Sequence, residues 1–425
     1  MLRTFYENNR RRLFDTMPDQ SVLVLFSGKA PHHNSDHYYP FFVQNSFRYM
    51  TGFSAENFIL LLVKRDGLQY ERLYIDPVDE LHQKTNGRQI TPQQVCETAG
   101  IQDVRENTQF ISDINLEIRK FLCTQLWLDL SRQNYSDDQT LSQRFAYDIR
   151  QKYPALQIRD ASPVLNNMRR IKQPEEIEKL RKAADITNKG IQNMMIHSRP
   201  GMYEYEYEAF YSFAVRRTGA PLSPGWIFAS GDNAVILHYP NNDQRAEDGT
   251  MLLCDLGVMV DGYNSDVSRT FPVNGKFTSR QAQIYEIVLN CNKFITSQTK
   301  PGVTMQELDA MTKAFYAREL KKIGLIQEDC QVADYYYHFI SHYLGLDTHD
   351  VGNNRLPLEP GVVITIEPGL YIEEEGLGIR IEDDVLVTED GCIVLTKDIP
   401  REISDIERLM CTKSCGEDAA LSPED

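Results

Sequence analysis

Four acids stand at matched places in two stretches of this chain, and their spacing suits them to share a cation. The first stretch, Glu247–Gly257, reads EDGTMLLCDLG, and the second, Glu359–Gly369, reads EPGVVITIEPG. In each, a Gly precedes an acid by six positions, Gly249 before Asp255 and Gly361 before Glu367, and the acid opens an acid-x-Gly triplet. Beyond the first stretch, Asp261-Gly262 is a strong two-residue hairpin signal between MLLCDLGVMV and YNSDVSRTF. With those two residues as the loop, Val260 faces Tyr263 and Gly257 faces Asp266. Side chains two apart share a strand face, so Asp255 and Asp266 project together as diagonal neighbours, about 7–8 Å apart at the backbone. A loop centred near Glu374 likewise puts Glu367 approximately opposite Glu382. Bare carboxylates so placed among apolar residues repel one another and hold their protons to higher pH, and a divalent cation relieves that cost. A lone acid near a strand end ordinarily faces solvent. Four at matching places in a duplicated unit point instead to an ion site across a pseudo-two-fold axis.

Imidazoles accompany the acids. His338 and His342 are four apart in YYYHFISHYLG, a spacing that on a helix shows both on one face, though without the inner Glu of the helical zinc-protease motif. HYPNN from His238 is echoed by HDVGNN from His349, so these two rings are expected to flank one pocket. One imidazole with four carboxylates suits hard divalent ions such as Mn, Co or Mg better than a cysteine-rich zinc site does. Two bridging carboxylates would hold a pair of such ions about 3.5–4 Å apart, the separation of hydrolytic two-metal sites.

A duplicated α/β unit is needed to position these groups. Arg199-Pro200-Gly201 and Lys300-Pro301-Gly302 each join two predicted helices, a third echo in the same order. One helix starts at Pro174 with Glu175 and Glu176 in its first turn, and another starts at the capping box Thr304-x-x-Glu307 and ends near Gly324. Ahead of them, residues 1–165 alternate apolar strands (VLVLF from Val22, NFILLLV from Asn57, LWLDL from Leu126) with polar helical stretches, which reads as an α/β domain. The pattern breaks in DASPVLNNMRRIKQ, from Asp160, and residues 166–410 form the second domain. Residues 411–425, small, polar and acidic, read as a frayed tail.

Bulk properties exclude several classes. A chain of 425 residues defaults to two domains, and 41% hydrophobic residues supply their cores. A net charge of −16 offers no basic footprint for nucleic acid. The apolar runs are strand-length and do not span a bilayer, and MLRTFYENNRRRLF lacks the apolar stretch of a signal peptide. Eight scattered cysteines without Cys-x-x-Cys suit reduced thiols, and the expected location is the cytoplasm.

The run DLGVMVDGYNSDVSRTFPVNGKFT, followed in order by HYLGLDTHDVG, TIEPGLYI and GIRIEDDVLV, resembles the pita-bread metallopeptidases, and among them the aminopeptidases P. YPFFVQNSFRYMTGF, from Tyr39, is similar to the segment that precedes Thr-Gly-Phe in bacterial aminopeptidases P. The resemblance implies an α/β (α+β) chain: a C-terminal pita-bread fold with an internal pseudo-two-fold repeat, and an N-terminal α/β domain with a mixed sheet. It implies that Asp255 chelates one metal, that His342 and Glu367 chelate the other, and that Asp266 and Glu382 bridge them. The implied cofactor is two divalent ions, manganese first, with cobalt or zinc as alternatives. A hydroxide bridging them would be the nucleophile, with Glu367 as proton shuttle. His349 and His238 would donate hydrogen bonds to the scissile carbonyl, His338 would shape the proline side of the pocket, and Arg380 would orient the ligands, with Tyr371 in a similar role. The implied substrates are peptides with proline second, and the implied assembly is a homodimer or homotetramer. Xaa-Pro dipeptidase shares this chemistry; the Gln44–Phe53 segment favours aminopeptidase P. Methionine aminopeptidase is disfavoured by the long first domain, creatinase-like enzymes and non-catalytic peptide-binding relatives by the complete ligand set.

Overall fold

A computed structural model describes residues 1–412 apart from 222 and 224, so residues 413–425, most of the expected tail, lie outside the described residues. Cys411 itself closes the helix Ile403–Cys411. The chain divides into two compact units, Met1–Arg169 and the remainder from Arg170.

The first unit is built on six strands: β1 (Ser21–Phe26), β2 (Ile59–Arg65), β3 (Leu68–Ile75), β4 (Val104–Glu106), β5 (Gln125–Leu128) and β6 (Gln157–Asp160), in the order β4-β3-β2-β1-β5-β6. β1, β2 and β3 pair antiparallel, whereas β1/β5, β5/β6 and β3/β4 pair parallel, so the sheet is mixed. The central β1 and β2 carry apolar runs, Val22 to Phe26 and Ile59 to Val63, because both of their faces are covered. The stretch read as a break between domains contains a helix, Ser162–Arg170. The Asp160 carboxylate accepts from the Ser162 amide at 2.9 Å, and Leu165 is fully buried, which together outweigh the turn-forming composition.

The second unit carries the repeat. Helices α1 (Pro174–His197) and α2 (Glu204–Arg216) precede β7 (Ile227–Ser230), β8 (Met251–Leu256), β9 (Met259–Val260), β10 (Tyr263–Asn264) and β11 (Val267–Pro272). Helices α3 (Ser279–Gln298) and α4 (Met305–Lys322) precede β12 (Val363–Ile366), β13 (Gly369–Ile372), β14 (Leu377–Arg380), β15 (Asp383–Val387) and β16 (Cys392–Val394). Gly201 and Gly302 turn the two helix pairs at φ +89° and +90°, values that strain any other residue. Each half holds a three-stranded sheet, β11-β8-β7 or β12-β15-β16, extended by a two-stranded ribbon, β9-β10 or β13-β14. Helix and strand side chains such as Met195, Tyr211, Leu252, Val288 and Ile364 are fully buried in one core, each aliphatic burial stabilising by about 1.5–3 kcal/mol. The architecture is the pita-bread fold, with the mixed-sheet unit ahead of it.

The second ribbon leans on the turn Gly231–Val235, which leads to His238. A Cβ at Gly378 would lie 1.9 Å from the Ala234 carbonyl oxygen, a backbone atom that cannot step aside. Gly378→Ala is therefore expected to destabilise the unit by about 1–3 kcal/mol through overpacking, read as a lower urea midpoint. A midpoint equal to wild type would mean the two backbones do not meet.

Candidate metal centre

The first hairpin has the register expected from Asp261-Gly262. Met259 pairs with Asn264 and Val260 with Tyr263, while Leu256 pairs with Val267 and Asp255 with Ser268. Asp261 and Gly262 take φ +49° and +92°, the left-handed pair that a twisted two-residue hairpin needs. The two ladders are in phase, so Gly257 lies across from Asp266, and Asp255 and Asp266 share a face. In the second hairpin Ile372 pairs with Leu377, Gly369 with Arg380 and Ile366 with Asp383, which leaves Glu367 opposite Glu382.

His338 and His342 are not on a helix. The segment through them runs extended beside β12: the Thr365 amide donates to the His342 carbonyl at 2.9 Å, Leu344 N to Val363 O at 3.0 Å and Glu367 N to Ile340 O at 3.0 Å. The open edge of β12 offers these residues a full set of backbone partners, and their aromatic and β-branched side chains suit a strand, so the four-residue spacing of the histidines carries no helical meaning. His342 reaches the acids from this edge. Its Nδ1 bonds the Tyr343 carbonyl at 3.0 Å, which turns Nε2 inward, 3.3 Å from Asp266 Oδ2, 3.6 Å from Glu367 Oε1 and 3.9 Å from Glu382 Oε1.

Asp266, His342 and Glu382 each offer a ligand atom within 4.8 Å of the others. Burial, and then the charge of Asp255, raise the Asp266 carboxyl above its ordinary range, and burial, then Asp266, raise Glu382. Burial and the neighbouring Glu382 push Glu367 up to about 8. For His342 burial acts downward, but the Asp266 hydrogen bond and the surrounding acids outweigh it and hold the imidazole up at about 10. The cluster thus retains protons because its negative charge exceeds what the protein neutralises. Buried oxygen donors around one correctly turned imidazole fit a divalent cation.

Arg380 brings a guanidinium into this wall. It is 2% exposed and donates from Nη2 to Asp255 Oδ2 at 2.8 Å, from Nε to Ser268 Oγ at 2.7 Å and from Nη1 to Tyr371 Oη at 3.0 Å. Tyr371 Oη lies 3.0 Å from His338 Nε2, and His338 Nδ1 lies 2.9 Å from the Phe339 carbonyl. The hydroxyl proton therefore points to Nε2, and Nδ1 carries the ring hydrogen. Burial, reinforced by Arg380, lowers His338 to about 4, so the ring is neutral. Arg380→Met is expected to lower kcat/KM by about 10–100-fold, the usual effect of removing a ligand-orienting group. Arg380→Lys is expected to restore little, because one ammonium cannot make the three bonds. Wild-type kcat/KM in the Met variant would remove Arg380 from the site.

Of the ten residues singled out from sequence, the acids, His342, His338, Arg380 and Tyr371 converge on this wall. His349 stands beside it, its ring centroid 4.1 Å from that of His342, and burial with the His342 charge lowers it to about 4. His238 is exposed on the loop after Val235. Three further residues went unread. Ser268 bridges Arg380 and Glu382, donating to Glu382 Oε2 at 2.7 Å. Thr365 donates to Glu367 Oε1 at 3.3 Å. Asp384, fully buried, takes the Asp266 amide at 3.3 Å. Ser268 and Thr365 lie two positions from Asp266 and Glu367, so strand alternation would have placed them on the same face.

Comparison with known proteins accords with this geometry. Residues 178–389 match metallopeptidase family M24, and residues 6–121 match the aminopeptidase P N-terminal domain. The chain is 34% identical to the Xaa-Pro aminopeptidase of Haemophilus influenzae, across 95% of this chain and 96% of that one. The chain belongs to the aminopeptidase P family. Its relatives in the family include the Escherichia coli Xaa-Pro aminopeptidase, 33% identical over 95% of this chain and 97% of that one. A candidate aminopeptidase P from Bacillus anthracis superposes with a TM-score of 0.95 at 42% identity, covering 97% and 99% of the two chains. Zinc-substituted E. coli aminopeptidase P in complex with product superposes at 0.90 with 31% identity, covering 97% and 99%. As a member of this family the chain is a metallopeptidase of the Xaa-Pro aminopeptidase type, a hydrolase. No helix among the described residues is long and apolar enough to cross a membrane.

Proposed function

We propose that the chain releases the N-terminal residue from peptides whose second residue is proline, with two divalent cations, manganese first, at Asp255, Asp266, His342, Glu367 and Glu382. The convergence of the two hairpins on His342 carries this reading. When bound, such cations acidify water and polarise a carbonyl, the chemistry that amide hydrolysis needs at neutral pH. Asp266 and Glu382, the more enclosed two of the four ligand acids, suit the bridging places. Glu367 would pass a proton to the departing proline nitrogen. His349 and His238, on echoing loops, would donate to the carbonyl oxygen as charge develops on it. Neutral His338, fixed by Tyr371, would line the proline side. A prolyl amide has no N–H to offer a peptidase, so recognition must come from the ring. The mixed-sheet unit is the aminopeptidase P N-terminal domain of this reading, residues 1–165, and 166–410 are the catalytic domain. A cytoplasmic homodimer or homotetramer completes it.

Xaa-Pro dipeptidase activity is the second reading. In a manganese-supplemented panel, Xaa-Pro-Yaa tripeptides are expected to be cleaved at least as well as Xaa-Pro dipeptides. Confinement to dipeptides would reverse the choice, and no cleavage of either would overturn the proposal.

A further inference from the structure

One buried ion pair near the site has no part in the chemistry above. Lys172, just ahead of α1, places its ammonium 2.8 Å from Asp350 Oδ2, and both side chains are 1% exposed. Enclosing such a pair costs desolvation that the mutual attraction only roughly offsets, so stability alone explains it poorly. Its position explains more, because Asp350 directly follows His349. Among the described residues no hydrogen bond holds the His349 ring, so its place is set by its backbone.

That backbone is clamped through the pair. The Asp350 amide donates to the Tyr343 carbonyl at 2.8 Å, the same oxygen that faces His342 Nδ1, so the two histidines hang from one anchor. The Asp350 carboxylate lies against residue 345, where a Cβ would sit 2.1 Å from Oδ2 and 2.9 Å from Lys172 Nζ, so that only glycine admits the pair. The Lys172 amide donates at 2.8 Å to the carbonyl of Gly361, at the entry to the strand that leads to Glu367. Asn264 Nδ2 donates to the Leu346 carbonyl at 3.0 Å and steadies the middle of the loop.

We propose that the Lys172–Asp350 pair is a positioning device for His349, holding its ring against His342 where a donor to the developing oxyanion is needed. The inference rests on the role given to His349 above. Such a donor works only over a few tenths of an ångström, and a displacement of about 1 Å costs up to about 10²-fold.

The test replaces both partners at once, Lys172→Met with Asp350→Leu, which keeps the volume and removes the two charges of the pair together. With an Xaa-Pro-Yaa substrate kcat is expected to fall about 10²-fold, with KM and bound manganese unchanged. Adding His349→Ala to this background is expected to cost almost nothing further. Gly345→Ala, which displaces the carboxylate without removing a charge, is a second variant with the same expected pattern should the first not fold. Wild-type kcat in these variants, or losses that multiply with that of His349→Ala, would overturn the positioning role while leaving His349 itself in place. Wild-type kcat in the single His349→Ala variant would instead overturn the reading of His349, and the proposal with it.

Discussion

Asp266→Ala is expected to lower peptide hydrolysis by about 10³-fold or more and to leave the purified protein short of metal. Asp266 Oδ2 is the acid oxygen nearest His342 Nε2, at 3.3 Å, and its ligand atom belongs to the three that crowd one point. On the proposed reading its loss would remove a ligand from the cations, which would supply several kcal/mol of charge stabilisation, and each 1.36 kcal/mol is a factor of ten in rate. Unfolding would not account for the loss. Burial and the Asp255 charge raise the Asp266 carboxyl above its ordinary range, so at neutral pH its charge is a burden on the metal-free fold. The metal-free variant is therefore expected to melt no lower than metal-free wild type, while its melting point no longer climbs with added manganese. Metal content after dialysis, kcat/KM and the two melting curves together decide the matter. Full activity at ordinary manganese concentrations would place the bridge elsewhere.

How much of this was legible in the sequence follows from which contacts are local. The first hairpin was readable to the residue because Asp261-Gly262 admits one tight turn, and a two-residue turn leaves the register no freedom. The second was readable because the echo placed Glu367 by analogy with Asp255, and the Glu373–Glu375 turn closes near the expected centre. The path of His338 and His342 was not. Their spacing fits a helix, but the competitor was the edge of β12, more than twenty residues ahead, and periodicity carries no information about an edge strand's appetite for partners. Arg380 was named as an orienter only through the resemblance, and its partner Ser268 was not legible because the two stand 112 positions apart. Lys172 and Asp350 were invisible as a pair, because nothing local links residues 178 apart. Sequence alternation and turn chemistry therefore specified which acids share a face. The groups that hold those acids in place came only with tertiary pairing.

Metal uptake is expected to strengthen steeply with pH between about 6 and 8 and to release protons. In the metal-free cluster Glu367 titrates at about 8, raised by burial and by Glu382, and Asp266 and Glu382 are raised as well. His342, lowered by burial but held up by Asp266 and the other acids, stands at about 10. A cation needs bare carboxylates and the Nε2 lone pair, so binding must expel what these groups hold. Each proton expelled makes affinity rise about tenfold per pH unit, and two make it about a hundredfold. Stability of the metal-free protein should run the other way. These folded-state values lie above the ordinary 4.5 of a glutamate and 6.5 of a histidine. Their contribution is therefore complete below the ordinary values and is lost as pH rises through the folded ones. The metal-free melting point is expected to fall between about pH 5 and 8, while the increment given by manganese grows over the same interval. Titration calorimetry in buffers of different ionisation enthalpy counts the protons directly, and chelator competition at pH 6, 7 and 8 gives the slope. A manganese affinity independent of pH would mean that the acids are already bare when the metal arrives, and that the charge the cations were inferred to neutralise is balanced by something else in the wall.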